Sequence, residues 1–239
     1  VKPRKSILVA VGVALVGAIA LGSAVVFHAG PWARADSATP ALPRDLGPVV
    51  ATVNGDPIYL QQIRSRIEGI TSLHGSPDAL GKEWRDQILQ SVVDEKIVEQ
   101  QASDLGLGVT EQEIEDELKK LRGFFQTEVE FQQWLSDQKI DEAGLTDRIR
   151  LQTLAKHVFD AVAGDIQVTR DEAKTWYEAH PKKYIGVDGK TSPFFAVQDE
   201  VESTLLNRGR NQAFSTWLED ERNQAQVVVV MQAWWKEIA

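Results

Sequence analysis

The chain has no cysteine. That excludes a disulfide framework, a thiolate metal site, a cysteine nucleophile and a lipid-bearing cysteine anchor. Histidine is scarce too, with only His28, His74, His157 and His180. No two of them stand in a His-x-x-x-His pair, and no acidic residue completes a helical metal triad, so no metal or other cofactor is expected. A solvated or helix-capping histidine is the expectation for each. No Gly-x-Ser-x-Gly elbow occurs, which leaves a serine hydrolase without support. Lys190-Thr191 follows Gly189 as at the end of a phosphate loop, but Tyr184 stands where the first glycine belongs. Positive charge is also short, with 26 basic residues against 35 acidic ones and a net charge of −9. Nucleic acid, whose phosphates need a basic surface, is therefore not an expected partner.

Apolar residues are unevenly spread. Ile7 to Phe27 is free of charge, interrupted only by Gly12, Gly17, Gly22 and Ser23. As a helix at about 1.5 Å per residue it reaches about 31 Å, enough to cross a bilayer core. Lys2, Arg4 and Lys5 precede it and place the N-terminus inside, with everything later outside the cytoplasm. A cleaved signal peptide is the alternative, with Ala33-Arg34-Ala35 as the small-x-small site and secretion as the outcome. The expected organisation is a membrane anchor or signal over 1–29 and a linker over 30–48 with Pro31, Pro40, Pro43 and Pro48. A helical domain over 49–231 and a tail over 232–239 follow.

The domain opens on a β-branched strand, Val49 to Val53, followed by the tight-turn pair Asn54-Gly55 and a brief return at Ile58-Tyr59. A helix then carries Trp84, Ile88, Leu89, Val92, Val93, Ile97 and Leu105 as a core-facing stripe, closed by Gly106. Thr110 with Glu113 spells a capping box, Val109 can staple onto Ile114, and Thr169 with Glu172 repeats the device. Thr127 with Glu130 is a simpler version. The acidic run Glu111, Glu113, Glu115, Asp116 and Glu117 suits the positive end of a helix and reads as a solvated face. Helices are expected over about 142–162 and 195–224, then a strand over 227–231. Two lone strands at opposite ends of a helical domain suggest that they pair. The fold class is thus mainly α, closed by a small sheet joining 49–53 to 227–231.

The series of motifs resembles the SurA/PrsA family of extracytoplasmic chaperones. Val50-Ala51-Thr52-Val53-Asn54-Gly55-Asp56-Pro57-Ile58 looks like that family's opening. Gln87 to Val98 resembles its long helix, and Leu105 to Ile114 its Gly-containing step into the next helix. Phe131-Gln132-Gln133-Trp134-Leu135, Val168 to Glu172 with Trp176-Tyr177-Glu178, and Ala213 to Leu218 follow in the family's order. The resemblance implies a SurA N-terminal-like chaperone domain that binds unfolded or newly exported polypeptides. It departs where the family carries a parvulin isomerase domain, because only Lys182 to Pro193 separates the flanking helices. Isomerase activity is therefore not carried over. A divergent prolyl isomerase and a dedicated partner-binding subunit of an envelope complex stay open as alternatives, and the oligomeric state is undetermined.

Large rings near loops and helix ends can line a groove for apolar segments. The client-binding candidates are Phe124, Phe125, Phe131, Trp134, Trp176, Tyr177, Tyr184, Phe194 and Phe195. Phe124 and Phe125, after Gly123, are the pair most expected to be exposed. Trp234 and Trp235 either pack back on the body or meet the membrane surface.

Overall fold

The computed structural model describes residues 46–74, 82–138, 140–186 and 189–237. The expected membrane segment, its cleavage site, most of the linker and His28 lie outside the described residues. Among the described residues no helix is long and apolar enough to cross a membrane.

The body is helical with one small sheet. Strand β1 (Val49–Val53) and strand β2 (Asp56–Tyr59) form a hairpin, with Val53 opposite Asp56. The turn needs two residues at positive φ, and Asn54 (φ 52) with Gly55 (φ 94) supplies them. Strand β3 (Val227–Val229) lies antiparallel on the other side of β1, giving the order β2-β1-β3. Val53 faces Val227 and Ala51 faces Val229, the pairing of the two chain ends expected from the sequence. β1 is the middle strand, which is why Val50, Ala51 and Val53 are completely buried.

Among the described residues, seven α-helices lie between β2 and β3. Helix α1 spans Leu60–His74 and α2 spans Lys82–Asp104. Next come α3 (Glu111–Arg122), α4 (Glu128–Asp137) and α5 (Glu142–Ala163). Helix α6 (Arg170–Ala179) leads through a 3-10 turn (Pro181–Tyr184) to α7 (Phe194–Gln224), which returns to β3. The main core gathers β1, Ile58 of β2, Ile63 and Ile67 of α1, and Ile88, Val92, Val93, Ile97 and Val98 of α2. It is completed by Val158 of α5 and Leu218 of α7. At roughly 1.5–3 kcal/mol per fully buried aliphatic side chain, this cluster is the main apolar contribution to folding.

The expected stripe on α2 holds in its middle and fails at its ends. Trp84, in the first turn, and Leu105 are exposed. Leu105 lies past the last helical residue, where the helical period no longer applies. Gly106 (φ 66) takes the left-handed cap there: its N–H donates to Ser103 and the Leu107 N–H to Ala102, closing a Schellman motif. Trp234 packs back on the body as part of the main core, within a 3-10 turn (Trp234–Glu237), and the Arg85 guanidinium lies 4.3 Å from the Trp235 ring centre.

Polar residues tie the same elements. The Arg222 guanidinium on α7 makes two 2.9 Å bonds to the two oxygens of Asp94 on α2, and Gln90 donates to Asp94 at 2.9 Å. One residue on, Glu95 meets Arg66 of α1 at 3.0 Å. Burial pushes the Glu95 carboxyl up, against the opposing pull of Arg66. Removing Arg222 leaves the Asp94 carboxylate, itself buried, without its two-pronged partner. Because the arginine is partly exposed, Arg222→Leu is expected to cost about 2 kcal/mol, below the usual figure for a fully buried pair. The urea midpoint of the full chain, compared with wild type, measures this.

Candidate functional site

Two satellite clusters project beyond the main core, and the aromatic candidates divide between them. The first is built on α3, α4 and the start of α5. Thr110 caps α3: its hydroxyl accepts from the Glu113 amide, and the Glu113 carboxylate accepts from the Thr110 amide and hydroxyl, each at 2.8 Å. Thr127 and Asp141 cap α4 and α5 through the amides of Glu130 and Gly144. Ile114, Leu121, Phe131, Trp134, Leu135, Leu145 and Ile149 fill the space between, with Val109 packed against them as the expected staple.

Gly123 ends α3, and the two phenylalanines after it part company. Phe124 points outward, 62% exposed. Phe125 turns inward and is half-buried, its ring centre 5.4 Å from Phe131 and 5.6 Å from Trp134. Their expected joint exposure is thus halved, since the adjacent side chains of this turn leave in different directions. Phe131 is 1% exposed and Trp134 is buried, with the two rings stacked at 6.1 Å, so both are interior supports.

The second cluster joins α6, the 3-10 turn and the start of α7. Thr169 and Glu172 form the second capping box. Ala173, Tyr184 and Val201 are its buried centre, with Trp176, Tyr177, Phe194, Val197 and Leu205 around them. The Tyr177 hydroxyl donates to the Ser192 carbonyl at 2.7 Å, and the Ser192 amide donates to the Tyr184 carbonyl at 2.7 Å. Ile185 and Thr191 bridge, so the connection from α6 to α7 is a pinned turn. Phe195, one residue into α7, is 79% exposed, and Ile185 is exposed beside the bridge. Of the nine candidates, then, Phe124 and Phe195 are exposed. Phe125, Trp176, Tyr177 and Phe194 are half-buried, and Phe131, Trp134 and Tyr184 are interior.

Val129 and Ile185 are exposed apolar residues outside the aromatic set. Val129 has a readable signal: it is out of phase with the buried stripe Phe131, Trp134 and Leu135 on the same short helix.

The histidines split. His180 is the expected capping residue: its Nδ1 lies 2.9 Å from the Trp176 carbonyl and its ring stacks on Trp176 at 3.7 Å. His157 is buried rather than solvated or capping. Its Nδ1 lies 2.9 Å from the Gly108 carbonyl and its Nε2 lies 3.0 Å from Glu113. The ring is thereby held between the Gly108 carbonyl and the Glu113 carboxylate. This histidine fastens the start of α3 to α5. The rings of the two clusters offer an apolar surface. Among the described residues, no group of three or more His, Cys, Asp or Glu is placed to hold a metal ion.

The model of the SurA-like N-terminal domain family matches residues 4–159. The foldase protein PrsA of Clostridium acetobutylicum is 28% identical over 129 residues, covering 52% of this chain and 39% of the relative. PrsA of Caldanaerobacter subterraneus is 28% identical over 152 residues, covering 58% and 44%. PrsA of Clostridium perfringens is 25% identical over 173 residues, covering 64% and 49%. The chain spans about half or less of the length of these curated relatives. A solved structure of a SurA-like chaperone from Campylobacter jejuni superposes with a TM-score of 0.56 at 14% identity, covering 76% of this chain and 98% of that one. That likeness is one of fold.

The division between supports and surface is measurable. Phe131→Ala is expected to cost about 3–5 kcal/mol of stability, whereas Phe124→Ala stays within about 0.5 kcal/mol of wild type. Thermal and urea melts compare the two. The cap is testable by pH. Burial pushes the Glu113 carboxyl up, but hydrogen bonds from the Thr110 amide and hydroxyl and the neighbouring His157 outweigh it, leaving a net lowered value. A lowered carboxyl contributes stability that is present above its unfolded value and lost as pH falls through its folded one. Thr110→Val is expected to raise the Glu113 carboxyl toward its ordinary value, read by carbon NMR titration, and to cost about 1 kcal/mol at neutral pH.

Proposed function

Since the chain belongs to the SurA-like N-terminal domain family, we propose that it is a holding chaperone without catalysis, which binds unfolded or newly exported polypeptides outside the cytoplasm. The observation that carries the proposal is the pairing of rigid support with exposed apolar surface. Phe124 and Val129 stand outside one packed cluster, and Ile185 and Phe195 outside the other. Rings and aliphatic groups at the borders of packed clusters offer a partner apolar area with little rotamer freedom to lose. Phe124 sits on a turn held by backbone bonds to Leu121 and Arg122, and Phe195 sits at the start of the long helix α7. Such residues meet a client without having to be ordered first, which lowers the entropic cost of binding.

The chemistry needed is weak and broad. Ring faces and aliphatic groups accept many apolar side chains and read no single sequence. The net charge of −9 favours clients that are neutral or basic. The proposal includes the apolar run Ile7 to Phe27 as a membrane anchor, which raises the chaperone's local concentration where chains emerge. The matched stretch covers 39% to 49% of the relatives named foldases, and no isomerase step is proposed for this chain.

The full chain is expected to suppress aggregation of two unrelated thermally unfolding proteins at near-equal molar ratio, followed by light scattering. Phe124→Ser with Phe195→Ser should at least halve that suppression while leaving the melting temperature within a few degrees of wild type. Suppression unchanged by the double variant would reject these two residues as contacts, and the absence of suppression by wild type would reject the holding role.

A further inference from the structure

The sheet has two outer edges, and they are treated differently. On β2 the backbone groups facing away from β1 belong to Pro57 and Tyr59, because Asp56 and Ile58 make the paired contacts with Val53 and Ala51. Pro57 has no N–H to offer. The Tyr59 N–H already donates to the Gln62 side chain at 2.8 Å. That edge is closed to another strand.

Among the described residues the β3 edge is less protected, with a single side-chain bond to its outward groups. The Asn54 amide donates to the Gln226 carbonyl and the Val230 amide to the Val50 carbonyl, both at 2.9 Å. Bonding positions alternate along an antiparallel pair, so Val228 also faces Thr52, while Val227 and Val229 turn their N–H and C=O outward. Among the described residues no strand pairs on that side. The Val229 carbonyl accepts from Gln232 at 3.3 Å, which leaves both groups of Val227 and the N–H of Val229 facing out. No proline and no charge interrupts Gln226 to Val230, and Val227, Val228 and Val230 are exposed, the last two at 47% and 59%. Sheet edges are ordinarily blunted by charge, proline, bulges or cover.

We propose that the outer edge of β3 is a docking edge that takes an extended, apolar segment of another polypeptide as a fourth strand. The proposal rests on the client-binding reading and adds a recognition mode to it: backbone pairing, which is indifferent to sequence, with valine side chains favouring β-branched and apolar neighbours. Charge narrows the occupant. Glu219 and Asp220, both exposed, stand in the last turns of α7 leading into the edge, and the whole chain is acidic. A neutral segment with basic flanks complements them, whereas a second copy of this chain would bring the same two carboxylates to the seam.

The test uses the full chain and a capped peptide, acetyl-Lys-Thr-Val-Thr-Val-Thr-Val-Lys-amide, with hydrogen exchange followed at single amides. At saturation, exchange at Val227 and Val229 is expected to slow at least tenfold, while Val228, already bonded inward, changes little. Val229→Pro removes an outward N–H and spares the Thr52–Val228 pair; it should weaken binding at least fivefold. A version of the peptide with alternate backbone amides replaced by esters should lose binding to the unmodified chain, an arm that does not depend on the proline variant folding. Peptide that binds without slowing Val227 and Val229 overturns the proposal. So does slow exchange there in the free, dilute chain, which would mean the edge is covered by the chain's own residues. Protection that grows with protein concentration alone overturns it in favour of a second copy. The two readings fail separately. Aggregation suppression that persists without edge protection sinks only the docking edge, and edge protection without suppression sinks only the holding role.

Discussion

The fold depends on closing the chain. β1 begins the described body and β3 nearly ends it, and their pairing turns a string of helices into one unit. A three-residue strand cannot carry that closure on backbone bonds alone, because isolated short strand pairs are marginal in water. The closure is reinforced by the Arg222–Asp94 pair, which joins α7 to α2 just before the chain enters β3. Trp234 acts just after β3, where its burial in the main core fixes the chain on the strand's far side. Sheet, ion pair and indole therefore work as one latch, each shortening the entropy that the next must overcome.

The two aromatic clusters depend on that latch indirectly. Helix α5 carries residues of the main core, and also Leu145 and Ile149 of the first cluster. Helix α7 likewise carries Leu218 of the main core and Val201 of the second cluster. Long helices here serve as rigid arms: one end is anchored by the latch, the other presents a small apolar assembly. Capping boxes at Thr110 and Thr169 define where the next arm starts, and His157 locks the first of them to α5. Small clusters held this way can keep a large ring at their border without collapsing over it, as Phe124 shows beside its buried neighbours.

What was legible in the sequence was local or periodic. The Asn54-Gly55 turn, both capping boxes, the Gly106 cap and the pairing of the terminal strands follow from short patterns whose stereochemistry leaves few choices. Interactions between residues far apart in sequence were not legible. Nothing about Asp94 in a helix of mixed polarity announces Arg222 as its partner, and His157 looks like any helical histidine until Gly108 and Glu113 close on it. The aromatic candidates were found as a class, but ring size does not state direction. Phe124 and Phe125 are neighbours of identical chemistry, and only packing against Phe131 and Trp134 separates them.

Edge asymmetry follows from the same closure. β2 is followed at once by α1, whose Gln62 lies within reach of the Tyr59 amide, and Pro57 completes the protection. β3 arrives last, and the chain after it turns inward to bury Trp234 instead of running along the edge. The anchor that secures the latch thus leaves the outward side of Val227 to Val230 uncovered within the described body. A protein that must not aggregate has reason to blunt such an edge, and this chain blunts one of its two. Among the described residues the other edge stays unpaired, on the strand that closes the fold. Rigid donors and acceptors lower the ordering cost of binding for one partner only, so they suit a client that arrives without structure.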